Sequence, residues 1–169
     1  MTEYYYLKAS LPYLRLEKVP PITSRDFLDE CLKWVSPKDL EKIENAKFGN
    51  QNIEENEAEA SLNWKRFDTE LKTGIALARK KAKIFGKKIR KMVKEIINQE
   101  TPLDSEKEIE RIRWEYLEDK EALYEFDINA LIIYFLKLQI IERLTSFDKE
   151  EGENFFYKLC EVKYEQTKG

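Results

Sequence analysis

The chain has 169 residues, of which 42% are hydrophobic, 12% aromatic and 37% charged, with 30 bases against 33 acids. That apolar share suffices for a buried core and excludes a wholly disordered chain, and near-balanced charge with only 5 Gly and 5 Pro fits long amphipathic helices better than a loop-rich β fold. No histidine is present, which removes Ser-His-Asp and Cys-His nucleophile pairs, HExxH zinc sites and histidine proton shuttles.

Residues 1–22 form an aromatic- and proline-rich segment with Tyr4, Tyr5, Tyr6, Tyr13, Pro12, Pro20 and Pro21. Prolines at that density break regular helix, so the segment reads as extended or briefly helical and packed on the body. Thr23 with Asp26 three residues on caps a helix whose apolar stripe is Phe27, Leu28, Cys31, Leu32 and Val35. Ser36-Pro37-Lys38-Asp39 opens a second short helix running to about Phe48, with proline at its first position. Gly49-Asn50-Gln51-Asn52 is the clearest loop.

One long helix is then expected from Glu54 to about Asn98. Its stripe is Leu71, Ile75, Ala78, Ala82, Phe85, Ile89, Val93 and Ile96 at spacings of three and four, with acids early and bases late. Gly74 and Gly86 are its weak points. Thr101-Pro102 ends this helix, and Ser105 with Glu108 opens the next, which carries Ile109, Ile112, Tyr116 and Leu123. Together they make a long antiparallel hairpin over residues 54–125. Asp127 caps an apolar helix from Ile128 to Phe147, the candidate for the most buried element. Asp148 with Glu151 starts a last helix that buries Phe155, Phe156, Leu159 and Val162, completing a C-terminal pair over 127–165. The expected fold is therefore all-α, a single helical domain over 1–169.

Few features suggest chemistry. Cys31 and Cys160 are too far apart in sequence for a CxxC pair and lie on apolar stripes, as buried and reduced thiols would, with one disulfide as the alternative. The five glycines stand singly, so P-loop and Rossmann fingerprints are absent. The first ten residues lack a secretory pattern, and the apolar run Ile128–Ile141 is interrupted by Lys137 and Gln139 and is too short for a bilayer span. Glu106, Glu110, Glu118 and Asp119 alternate with Lys107, Arg111, Arg113 and Lys120, which reads as solvated ion pairs. Lys137, Gln139, Glu142 and Arg143 read as the narrow solvent-facing strip of the apolar helix, and Trp64 and Trp114 as packing residues that meet each other or a partner. No catalytic, metal or cofactor-binding residue is expected, and the protein is read as a cytoplasmic non-enzyme.

The strongest anomaly runs from Arg79 to Lys94. It holds nine bases, and no acid occurs between Gly74 and Lys94. Lys80, Lys83, Lys87, Lys91 and Lys94 recur at three or four residues and so mark one face of a helix. Such a ribbon can meet phosphates, face an acidic protein surface, neutralise the acidic helix between Asp104 and Asp127, or simply be solvated. The overall acidic charge weighs against nucleic acid.

Two stretches resemble a known family. Tyr4-x-Tyr6-Leu7-x-Ala9 is similar to the opening of the d-type subunit of V/A-type ATP synthases, which caps the rotor ring, and Phe126 to Lys137 resembles that family's buried-helix segment. The whole pattern is closer to a short bacterial family of unknown function encoded beside V-type ATP synthase genes. The shared motifs fall here at Tyr4–Pro12, Ser24–Cys31, Ser36–Leu40, Phe126–Leu131 and Phe147–Gly152, which leaves the central hairpin out. The resemblance implies a non-catalytic accessory or central-stalk-like subunit that acts by docking, assembly or torque coupling, with V-type ATP synthase subunits as partners at the cytoplasmic face of the membrane. In that setting Lys80–Lys94 would contact an acidic protein of the assembly or anionic headgroups. The alternative is a nucleic-acid-binding helical protein using the same basic face.

Overall fold

The computed structural model describes residues 2–148, with side chains from Tyr4 onward, and no strand occurs among the described residues. Seven helices follow in order: α1 (Thr2–Ser10), α2 (Ser24–Trp34), α3 (Pro37–Asn45), α4 (Glu59–Arg79), α5 (Lys87–Ile97), α6 (Pro102–Glu121) and α7 (Ile128–Phe147). The all-α expectation holds. The final helix expected from Asp148, with Phe155, Phe156, Leu159 and Val162, and the residue Cys160, lie outside the described residues.

α7 is the centre of the fold. Asp127 caps it by accepting a hydrogen bond from Ala130 N at 3.0 Å, and every residue from Ala130 to Leu138 is buried, as are Ile140 and Ile141. A helix apolar over most of its circumference must be surrounded, and α7 packs on α1, α2, α3, α4 and α6. Each fully buried Leu, Ile or Phe contributes roughly 1.5–3 kcal/mol, so this helix carries much of the stability.

The N-terminal elements form where local signals place them. Thr23 and Asp26 make a reciprocal capping box at the start of α2, whose Phe27 and Cys31 are fully buried. Phe27 stacks on Phe135 with centroids 5.6 Å apart. Ser36 caps α3 with Pro37 at its first position. The aromatic segment is helical only over α1, where Leu7 is fully buried. Beyond α1 the chain is irregular, and Pro12 O there accepts a hydrogen bond from Tyr134 Oη at 2.8 Å.

The long helix expected from Glu54 to Asn98 is corrected: it is two helices folded against each other. α4 ends in a Schellman turn, with Lys81 at φ 55°. Lys81 N donates to Ala78 O at 3.0 Å and Ala82 N to Leu77 O at 2.9 Å. The usual glycine signal is missing because a lysine takes the left-handed position. α5 begins after Gly86, at φ 85°. An unbroken helix over 54–98 would reach about 65 Å, twice the length of α6 or α7, leaving half its apolar stripe without a partner. Folding back buries Leu71 and Ile75 of α4 beside Val93 and Ile96 of α5 and leaves the middle of the stripe, Ala82 and Phe85, exposed in the connecting loop.

Gly74 is the contact point of this pair and not a break. A Cβ there would lie 2.8 Å from Ile89 Cγ2 and 2.9 Å from Val93 Cγ2, so glycine is what lets α5 come so close to α4. Thr101-Pro102 is likewise a start and not a stop. Thr101 Oγ1 accepts from Asp104 N at 3.1 Å, and Pro102 opens α6 one turn before the expected Ser105 cap. Ser105 Oγ instead donates to Ile96 O at 3.1 Å, tying α6 to the end of α5.

Candidate functional site

The α4–α5 hairpin places the basic residues at its tip and along one side. Lys80 is the C-cap of α4 and Lys83 lies in the loop, while Lys87, Lys91 and Lys94 are on α5. The single helical ribbon expected from the spacing is thus a bent patch. All nine bases from Arg79 to Lys94 are exposed. Among the described residues none of them enters an ion pair. The acids of α6 therefore do not neutralise the patch. The ion pair joining α5 to α6 is instead Glu95 with Arg111, at 3.7 Å.

Phe85 sits within this patch and is 77% exposed. Lys83 Nζ lies 5.9 Å from its ring centroid. The loop has a defined shape: the Schellman turn fixes its first half, and Arg90 Nη2 donates to Ile84 O at 3.0 Å to hold the second half on α5.

A second polar site was not visible in the sequence. Arg113 of α6 donates through Nε and Nη2 to Asp68 Oδ1 of α4 at 2.9 and 2.6 Å, and through Nη1 to Glu110 Oε1 at 2.6 Å. Arg143 of α7 approaches the same Glu110 oxygen at 3.0 Å and Glu106 at 3.3 Å. Glu110 is fully buried and its Oε2 has no partner among the described residues. Burial pushes its carboxyl above the usual range against the pull of Arg113 and Arg143. Above these groups opens a cleft of about 480 Å³ whose lining includes Phe48, Leu71, Lys72, Ile75, Arg79 and Arg143. The expectation that the carboxylates of this helix are solvated is corrected for Glu110. The usable signal was its spacing: Glu110, Arg113 and Leu117 fall at three and four residues, on a buried face.

The polar residues of α7 are corrected in the same sense, since they tie the core to its surroundings. Lys137 is 5% exposed; its Nζ lies 2.7 Å from Glu121 Oε2 and 4.3 Å from the Trp114 ring centroid. Burial opposes ionisation of Glu121, but Lys137 and Lys8 outweigh it and hold the carboxyl below the usual range. Gln139 Oε1 accepts from Phe48 N at 2.9 Å, and the Glu142 carboxylate accepts from Ser24 N and Oγ at the start of α2. Of the four residues read as the solvent-facing strip, Arg143 alone is exposed, as expected. Trp64 stacks on Phe48 at 5.3 Å and Trp114 lies beneath Lys137, both buried in the chain's own core.

Among the described residues no cluster of three or more His, Cys, Asp or Glu could hold a metal ion, and no helix is long and apolar enough to cross a membrane.

Residues 89–165 match a family described as a protein of unknown function (DUF2764). The match spans a little under half of the chain. It begins within α5 and runs through α6 and α7, so it takes in the central helices as well as Phe126–Leu131 and Phe147–Gly152. It contains Lys91, Lys94, Glu110, Arg113 and Arg143 and leaves out α4 and the loop before α5. No curated protein and no solved structure matches the chain.

Proposed function

We propose that this protein is a non-catalytic accessory or central-stalk-like subunit of a bacterial V-type ATP synthase, held at the cytoplasmic face of the membrane, and that it docks through the α4–α5 tip. The observation that carries the docking reading is the set of nine exposed bases without an ion-pair partner among the described residues. Where this chain uses cations for its own stability, it pairs them, as at Arg113 and Lys137. A cluster of like charges left unpaired repels itself and gains only when an anionic surface approaches, which speeds and orients that encounter. The identity of the assembly rests on the resemblance of the Tyr4–Pro12, Ser24–Cys31 and Phe126–Leu131 motifs.

The test is an affinity capture of the tagged full chain from its native host in mild detergent, with partners identified by mass spectrometry. Stoichiometric V-type ATP synthase subunits are expected. Reversing Lys83, Lys87 and Lys91 to Glu should reduce the protein's recovery with the host's membrane fraction at least about tenfold, as expected when a charge cluster drives association. Capture of nucleic acid without ATPase subunits, lost steeply with added salt, would overturn this reading in favour of a nucleic-acid-binding protein using the same bases.

A further inference from the structure

We infer that the α4–α5 tip is an anchor for an anionic phospholipid surface, with the Phe85 ring entering the headgroup boundary and the flanking lysines meeting lipid phosphates. This deepens the docking reading, on which it rests, by naming the chemistry of the surface met. Three observations carry it.

The first is the ring itself. Phe85 has no polar atom, yet it is 77% exposed at the end of a helical hairpin. Fully burying a phenylalanine is worth roughly 1.5–3 kcal/mol, and the fold leaves most of that unrealised. The loop does so in a fixed conformation, set by the Schellman turn at Lys81 and by the hydrogen bond from Arg90 to Ile84 O. The ring is held out and little ordering remains for binding to impose.

The second is what surrounds the ring. Lys81 and Lys83 precede it, Lys87 and Lys88 follow it, and no acid occurs between Gly74 and Lys94. Protein–protein interfaces are depleted of lysine relative to the rest of the surface, whereas this ring is flanked by lysines on both sides. Lysine stems can lie along acyl boundaries while their ammonium groups stay with the phosphates, and each such base near an anionic leaflet contributes about 1 kcal/mol. A nucleic-acid strand would use the charges but has no need of one isolated aromatic ring at the apex; single-strand binders place several rings for successive bases.

The third is the charge of the rest of the chain. Setting aside the nine bases of this interval from the 30 in the sequence leaves 21 against 33 acids. The remainder therefore carries a net negative charge and is on balance repelled by an anionic leaflet, whereas the tip is attracted. The molecule would stand on the membrane in one orientation, hairpin first.

The test uses the purified full chain with sedimentable vesicles of phosphatidylcholine alone and of phosphatidylcholine with phosphatidylglycerol. Binding to the mixed vesicles only is expected, weakening as salt is raised. Phe85→Ser should weaken it by about tenfold, the loss of about half the value of a buried ring, and the Lys83, Lys87 and Lys91 reversals should abolish it. Both variants alter exposed positions, so their thermal unfolding should match that of the parent. No binding to anionic vesicles, or Phe85→Ser binding as the parent does, overturns the inference. So does a labelled oligonucleotide that binds more tightly than the vesicles and is indifferent to Phe85→Ser. If ATPase subunits are captured but vesicles do not bind, the lipid inference falls alone. If vesicles bind through Phe85 but no part of an ATPase is captured, the proposed assembly falls and the anchor stands.

Discussion

The cations of α6 and α7 and the cations of the α4–α5 tip are the same residue types under opposite conditions. Arg113 and Lys137 are buried, and each meets two carboxylates. The nine bases from Arg79 to Lys94 are exposed and have no ion pair among the described residues. A buried charge without a partner is expensive, so the interior assembles Asp68, Glu110 and Glu121 around its cations. An exposed charge is stabilised by water and can be left uncommitted. The contrast separates bases that hold the fold from bases that, Arg90 with its bond to Ile84 O apart, are free to serve something outside it.

That separation can be broken most forcefully at Arg113. Arg113→Met leaves Asp68 and the fully buried Glu110 without their shared guanidinium, and should destabilise the protein by about 3–5 kcal/mol in urea unfolding. A loss below about 1 kcal/mol would mean that the buried network is not structural. Gly74→Ala probes the base of the tip: the added methyl meets Ile89 and Val93, and the expected loss is about 1–3 kcal/mol. Vesicle binding per folded molecule should fall with it if the α4–α5 packing sets the shape of the tip.

Glu121 gives a pH signature. Burial works to raise its carboxyl, yet Lys137 and Lys8 hold it below the usual range in the folded protein. Its contribution is therefore present above the ordinary glutamate value of about 4.3 and is lost as pH falls through the lower folded value. Glu121→Gln should lower stability by about 1–2 kcal/mol at neutral pH, a figure reduced by its partial exposure, and the gap to the parent should close as pH falls below the ordinary glutamate range. Glu110, whose carboxyl is raised, runs the other way and disfavours the fold as pH climbs above the ordinary range. The smallest effect belongs to the tip. The triple reversal of Lys83, Lys87 and Lys91 to Glu should change unfolding free energy by less than about 0.5 kcal/mol, because no paired partner is lost. A loss comparable to that of Arg113→Met would assign those lysines to the fold and erase the contrast.

Local signals in the sequence were sufficient wherever a helix start depends on its own neighbours. Thr23 with Asp26, Ser36 with Pro37 and Asp127 each act within one turn, and each opens the helix expected of it. The apolar run of α7, interrupted by Lys137 and Gln139, likewise required burial on most sides. The division of the long helix was not legible in the same way. Its stripe keeps one helical period through the loop, and the stop is made by Lys81 in a conformation that usually calls for glycine. The candidate site was half legible. The basic residues and their anomaly could be counted along the chain, but their lack of partners and the exposure of Phe85 could not.

Composition, periodicity and capping residues by themselves determined that this chain is helical, that α7 is its core, and that positive charge concentrates between Arg79 and Lys94. Tertiary structure decided which charges are neutralised, because an ion pair such as Asp68 with Arg113 joins residues 45 positions apart. It also decided that Phe85, placed by sequence on a buried stripe, stands in solvent. That stripe is longer than any partner helix, so the chain had to fold back, and the residues at the bend were the ones left uncovered.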